Sequence, residues 1–308
     1  RGENTSDRVQ QAAELITTMA AVVGADKSKF SNTKLEGTIL IPTNLLKTSN
    51  NVDVFLGAAL QNISAKVNTT PQERRNTNSI KAGNSFLSAI HSILNSERLN
   101  DIMAEETPGY LKFVQKYKEH TFNKDRPKPN PENKAEVIID LFDKIIRYPE
   151  NIDDAVLEEY KEGIESVREL LSEKGGIPRS YRECTKTSEE ITKILKKYIE
   201  EKEEEEEEEK KKKGGSGGDK DGSKGTTEPS TDYIESLVES FEEDDTQDDD
   251  TFKRFQEKIE ELEEGGAKIA KNVEFIKYTE SLHASTEFER AKKKINFSKA
   301  SVIRNLLK

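Results

Sequence analysis

Seven consecutive glutamates at 203–209 run directly into four lysines at 210–213 and then into Gly-Gly-Ser-Gly-Gly. The apolar face carried by Ile191, Ile194, Leu195 and Tyr198 disappears at this point, so nothing in the run can be drawn into a core. Glutamates followed by lysines can prolong a helix through i,i+4 pairs, but each pair contributes only about 0.2–0.5 kcal/mol. We expect a solvated, fraying helix end. Residues 214–229, rich in Gly, Ser, Lys and Asp, bury too little apolar area to offset their ordering entropy. The chain is therefore expected to divide into a helical domain at 1–200, a disordered charged and Gly-rich linker at 201–232, and a helical C-terminal segment at 233–308.

Only 32% of the 308 residues are hydrophobic while 35% are charged, which argues against one large core. No window approaches the eighteen or so apolar residues of a membrane span, and no basic-then-apolar leader opens the chain. The expected location is cytoplasmic. The single Cys184 cannot form an internal disulfide, and His91, His120 and His283 are scattered, so soft metal ligands are scarce. A net charge of -11 argues against general nucleic-acid binding, which relies on Lys and Arg along phosphates. The charge is uneven. Residues 232–250 hold ten acidic and no basic residues, and 290–308 hold seven basic and no acidic ones.

Helical spacing of Val9, Ala12, Ala13, Ile16, Met19, Ala20 and Val23 predicts a core-facing helix, capped by Ser6 or Asp7 and ended at Gly24. Residues 36–42, Glu-Gly-Thr-Ile-Leu-Ile-Pro, form the best strand candidate. Further helices are expected from Asp53 to about Asn68, over 85–106 and 111–117, and, past the proline-rich 126–131, over 132–147, 153–173 and from 188 onward. Phe55, Leu56, Leu60 and Ile63 of one helix are expected to share a core with Ile90, Ile93 and Leu94 of another. Residues 233–308 hold too few large apolar residues for a core of their own. They are expected to pack back on the first region or to await something outside this chain. The absence of an initiator Met and the end at Leu307-Lys308 lead us to expect a following domain.

Several motif-like stretches carry little. Gly222-Ser-Lys-Gly lacks the strand and helix of a phosphate loop, and the neighbouring Asp221-x-Ser223-x-Gly lacks the apolar strand of a metal-adhesion motif. The carboxylates at 242–250 are best read as a solvated acidic loop. The four N-x-S/T patterns, at Asn4, Asn62, Asn68 and Asn296, are chance matches. His91, with no second His or Cys nearby, is read as a hydrogen-bonded core or boundary residue without a catalytic role.

Two stretches are more informative, VDVFLGAALQNISAKVNT at 52–69 and HSILNSERLNDIMAEETPGY at 91–110. With the Ile-Leu-Ile-Pro segment before them, they resemble the von Willebrand-associated metallopeptidase family of cobaltochelatase T-subunit-like proteins. These occur in bacteria and large tailed phages, beside a MoxR-type AAA+ ATPase. The resemblance covers about residues 36–120. It implies a zincin-like helical domain, mostly α with one short strand or small sheet. In that family a strand leads to a helix with His-Glu-x-x-His and a further His, and a second helix bears an acidic Glu-Asp-Glu-Arg-Ile-Glu stretch before Pro-Gly-Tyr.

At the chemically decisive positions this chain departs from the pattern. The two motif histidines correspond to Gln61 and Ala65, the glutamate to Asn62, and the further histidine to Asn68. In the second helix the acidic positions become Asn95, Ser96 and Asn100, while Glu97 and Arg98 remain. Catalytic zinc needs three protein ligands, an open position and a base for the bound water. The resemblance therefore implies a degenerate site without metal, cofactor or catalytic residues. Positions 61, 65 and 68 share a helix face, where amides can form a neutral polar network in which an unpaired carboxylate would cost several kcal/mol. An ordinary amphipathic helix pair with its polar positions in water explains the same residues. The function expected is a non-catalytic scaffold or adaptor, partnered by a MoxR-type AAA+ ATPase or by virion proteins and not by nucleic acid or membrane. The alternatives are an active metal-dependent peptidase with an atypical site and a helical virion structural protein.

Overall fold

The computed structural model describes residues 5–33, 35, 37–48, 52–83, 85–124, 126–213, 228–241 and 249–272. In chain order the α-helices are α1 (Thr5–Val23), α2 (Leu45–Thr48), α3 (Val52–Val67), α4 (Pro71–Lys81), α5 (Phe86–Glu106), α6 (Leu111–Asn123), α7 (Lys134–Arg147), α8 (Asp154–Glu159), α9 (Lys161–Glu173), α10 (Tyr181–Lys213), α11 (Thr231–Glu239) and α12 (Asp249–Asn272). Between α1 and α2 lie β1 (Phe30–Ser31) and β2 (Ile39–Leu40), which pair in parallel with Phe30 opposite Ile39 and Ser31 opposite Leu40. The expected class, mostly α with one small sheet, is the class observed.

These elements form two compact units that interleave along the chain. The first draws on Arg1–Asn68, Ile102–His120 and Glu243–Lys308, and the second on Thr69–Asp101 and Thr121–Glu242. The sequence-based division instead followed chain order. In the first unit α1 presents Val9, Ala12, Ala13, Ile16, Met19 and Ala20 to the core, as its spacing predicts. Gly24 ends it at φ 71°, a conformation that only glycine adopts without strain, and Ala25 N donates to Ala20 O. On α3, Val52 and all of 54–60 are buried, a broader apolar side than one stripe. Such a side can be covered on more than one flank, and its core neighbours come from α1, α6 and α12, including Phe113, Tyr117, Phe252 and Phe255.

The second unit is built on α5, α7, α9, α10 and α11, with Phe86, Ile90, Phe142, Ile164, Leu195 and Ile234 among its buried residues. Here the expectation of one core shared by α3 and α5 is corrected. Phe55, Leu56, Leu60 and Ile63 belong to the first core, whereas Ile90, Ile93 and Leu94 belong to the second. The intervening α4 went unrecognised. Its start is nonetheless written in Thr70-Pro71-Gln72-Glu73, where Thr70 Oγ1 accepts from Glu73 N, Glu73 Oε2 accepts from Thr70 N, and proline fills the first turn.

The described residues of the C-terminal segment form no core of their own. Tyr233, Ile234, Leu237 and Val238 of α11 enter the second core, and Phe252, Phe255 and Ile259 of α12 enter the first. Helix α10 begins at Tyr181, earlier than expected, and continues through the glutamate run to Lys213, so 201–213 of the expected linker is helical. Residues 214–227 and the basic stretch 290–308 lie outside the described residues.

Gly57 marks a close approach of α3 to α6. A Cβ there would fall 2.5 Å from Tyr117 Cβ and would overlap the carbonyl oxygen of Phe113. Alanine is favoured over glycine by about 1 kcal/mol within a helix. Because the obstruction is backbone, Gly57→Ala should nevertheless destabilise the protein by about 1–3 kcal/mol in chemical denaturation. A stabilised Gly57→Ala protein would contradict this packing of α3 on α6.

Candidate functional site

The polar side of α3 is built on a helix whose other sides are fixed by burial. Gln61, Asn62, Ala65 and Asn68 are all half-buried along it. Asn62 Nδ2 donates to Leu40 O at 2.9 Å, fastening the helix to β2, and Asn68 Nδ2 donates to Ser64 Oγ at 3.1 Å. The equivalents on α5 lie in the other unit. There Asn95 Oδ1 accepts from Arg98 Nε at 3.0 Å, Asn100 Nδ2 donates to Glu97 Oε1 at 2.8 Å, and Ser96 is half-buried. Asn62 thus binds the backbone of β2, while Asn68, Asn95 and Asn100 bind side chains three or four residues away in the chain.

The donor set does not fit catalytic zinc. Along α3 it offers amides at 61, 62 and 68 and a methyl at 65, and neutral amide oxygens compete poorly with water for zinc. Among the described residues no three His, Cys, Asp or Glu side chains gather as a metal site.

The second unit holds a denser polar arrangement that sequence inspection missed. Arg126 Nη2 lies 2.7 Å from Asp140 and 2.8 Å from Asp143, Arg147 bridges Asp143 at 3.4 Å and Glu97 at 3.6 Å, and Lys144 reaches Asp140 at 2.9 Å. Asp143 is almost wholly enclosed, and Arg147 stacks over the rings of Tyr148 and Phe241 at 4.9 and 4.2 Å. Three cations meet three carboxylates, so the group is neutral as a whole. The available signal was Asp140, Asp143, Lys144 and Arg147 at helical spacing inside the apolar run of α7.

Beside it, a groove of about 460 Å³ is lined by Pro127, Lys128, Asn133, Glu136, Tyr233 and Ser236, among others. Its buried carboxylate is already committed. Glu136 Oε1 accepts from Ser230 N and Oγ at 3.0 and 2.6 Å, and Oε2 accepts from Asn130 N at 2.8 Å, pinning the start of α11. The groove therefore presents no spare acid or base from Glu136.

His91 is fully buried between α5 and α10, edge-on to Tyr181. Thr185 Oγ1 gives its proton to Tyr181 O at 3.1 Å, so in the 3.4 Å contact with Thr185 it is His91 Nε2 that donates. Nδ1 is then an acceptor, and it has no partner. Burial, reinforced by the cations of Lys81 and Arg98, pushes the imidazole down to about 4. Cys184 is also enclosed, and burial pushes its thiol up to about 11, which leaves it a poor nucleophile.

Compared with known protein families, with characterised proteins and with solved structures, the chain matches none.

The depressed His91 pKa has a definite sign. An imidazole held neutral in the folded state contributes stability that is complete above its ordinary value of 6.5 and is lost as pH falls towards about 4. Between pH 7 and 4.5 the wild-type protein should lose roughly 2–3 kcal/mol more than His91→Gln in denaturant titrations. Equal losses would place His91 in solvent.

Proposed function

We propose that this chain is a non-catalytic scaffold or adaptor that carries a degenerate metallopeptidase-like helix and acts by binding other proteins. The observation that carries this reading is Asn62. At the position corresponding to the general base of a zinc peptidase stands an amide whose nitrogen is bonded to the backbone of β2. A carboxylate could only accept hydrogen bonds and would meet the Leu40 carbonyl oxygen with repulsion. The side chain there serves the fold.

The charge distribution supports protein partners. Acidic residues dominate 232–250, no helix among the described residues is long and apolar enough to cross a membrane, and the net charge of -11 disfavours a phosphate backbone. The resemblance in 36–120 names the candidates, a MoxR-type AAA+ ATPase or the proteins of a phage assembly. Co-expression with such an ATPase should give a complex on size-exclusion chromatography, and separate elution would count against that partner.

Purified protein should contain no stoichiometric zinc, show no peptidase activity on an unstructured substrate, and melt at the same temperature with or without chelator. The variant Gln61→His, Asn62→Glu, Ala65→His, Asn68→His should gain zinc affinity, because imidazoles four residues apart share a helix face. Stoichiometric zinc together with hydrolysis in the unmodified protein would overturn the proposal. A folded variant that binds no zinc would remove the peptidase resemblance from its support.

A further inference from the structure

Helix α11 is laid along α7 and fastened to it at both ends. At its start Ser230 N and Oγ donate to Glu136 Oε1 at 3.0 and 2.6 Å, Asn133 Nδ2 donates to Glu228 O at 3.2 Å, and Lys196 of α10 pairs with the Glu228 carboxylate. At its end the Arg147 guanidinium carbon stands 4.2 Å from the centre of the Phe241 ring. The two fastenings are eleven residues apart on each side, 230 to 241 and 136 to 147, so α11 follows α7 in the same direction. Tyr233, Ile234, Leu237 and Val238, two pairs one turn apart, enter the second core. Asp232, Glu235 and Glu239 form an exposed acidic side.

This is the geometry by which an amphipathic helix is held in a groove as a ligand. Nine residues are too few to keep a helix in water, so the order of α11 comes from the surface beneath it. The seat is also imperfectly filled. The groove of about 460 Å³ opens between the connector at Pro127 and Lys128 and the α11 side chains of Tyr233 and Ser236. The Tyr233 hydroxyl is buried without a hydrogen-bond partner, a cost that a closely matched occupant avoids. Cations at the rim, Lys128 beside the groove and Lys196 on Glu228, complement the acidic side of the occupant.

We propose that this surface of the second unit is a helix-docking groove occupied in cis by α11, and that a partner protein displaces α11 with an amphipathic helix of the same chemistry. Such a helix brings a serine or threonine cap with its N–H for Glu136, two apolar pairs one turn apart, and an acidic outer side for Lys128 and Lys196. The inference rests on the adaptor reading and gives it a surface. It involves neither α3 nor zinc, so its failure would leave the zinc and ATPase outcomes unaffected.

The probe is a fluorescein-labelled peptide of residues 228–241, titrated by fluorescence anisotropy into the full chain and into the full chain carrying Ile234→Asp and Leu237→Asp, which drives α11 from the core. The peptide should bind this opened variant about ten-fold or more tightly than the wild type, because α11 tethered in cis excludes it. A peptide with Ile234→Asp should not bind, and Glu136→Ala in the opened variant should weaken binding about ten-fold. Hydrogen exchange on the wild type gives a second reading. Amides of Leu237 and Val238 should exchange about ten-fold or more faster than those of Ile138 and Ile139, since α11 opens while α7 stays folded. Equal affinity for wild type and opened variant would place the peptide elsewhere, and no binding to a folded opened variant would leave the groove without a transferable ligand. Either result overturns the proposal. An opened variant that fails to fold, or exchange of α11 and α7 at one common rate, overturns it as well, because α11 would then be a permanent part of the core.

Discussion

Phe255 of α12 packs edge-on against Phe55 of α3 with ring centres 5.9 Å apart, and the first unit depends on this contact between residues two hundred positions apart in sequence. A chain in which charged residues outnumber hydrophobic ones cannot assemble each core from one contiguous stretch. Apolar stripes must be gathered from distant segments. Helix α12 brings Phe252, Phe255 and Ile259 to α1 and α3, and burial of one such aromatic contributes about 1.5–3 kcal/mol. Its charged outer side adds a pair between Lys27 and Glu263, which is too exposed to matter comparably. The same logic takes α11 into the other core, so that consecutive C-terminal helices serve different units.

The second unit meets its shortage of apolar side chains differently, by burying charge in a balanced group. Burial pushes Asp143 upward, while Arg147 and Arg126 hold its charge in place. Such a group adds little net stability relative to apolar residues, since desolvation opposes the Coulomb attraction, but losing one member strands the others. Arg126 comes from the proline-rich connector, Asp140, Asp143 and Arg147 from α7, and Glu97 from α5, so the group ties three segments together with directional bonds. Arg98, on the same helix as Glu97, stands outside this balance.

Much of the fold was legible in the sequence because amphipathic spacing reports burial directly. Helices α1, α3 and α5 fall where Val9 to Ala20, Phe55 to Ile63 and Phe86 to Leu94 recur, and β2 falls within the Ile-Leu-Ile-Pro segment. Which core each stripe joins was not legible, because hydrophobic burial is non-directional and a stripe does not name its partner. At the candidate site, the common face of 61, 65 and 68 followed from helical geometry. The bond from Asn62 to Leu40 did not, since it spans 22 residues and ends on a carbonyl that any residue would supply. The charges of α7 were hidden for a related reason. Asp140 and Asp143 look like solvent-facing residues until Arg126 arrives from a connector with no helical pattern of its own.

That two interleaved cores exist, the first completed by α12, is tested most directly by hydrogen exchange on the chain ended after Glu242. Removing α12 should abolish amide protection in α1 and α3 while Ile138, Ile139 and Phe142 of α7 remain protected at their full-length level. Protection retained in α1 and α3, or lost together in α3 and α7, would contradict this account.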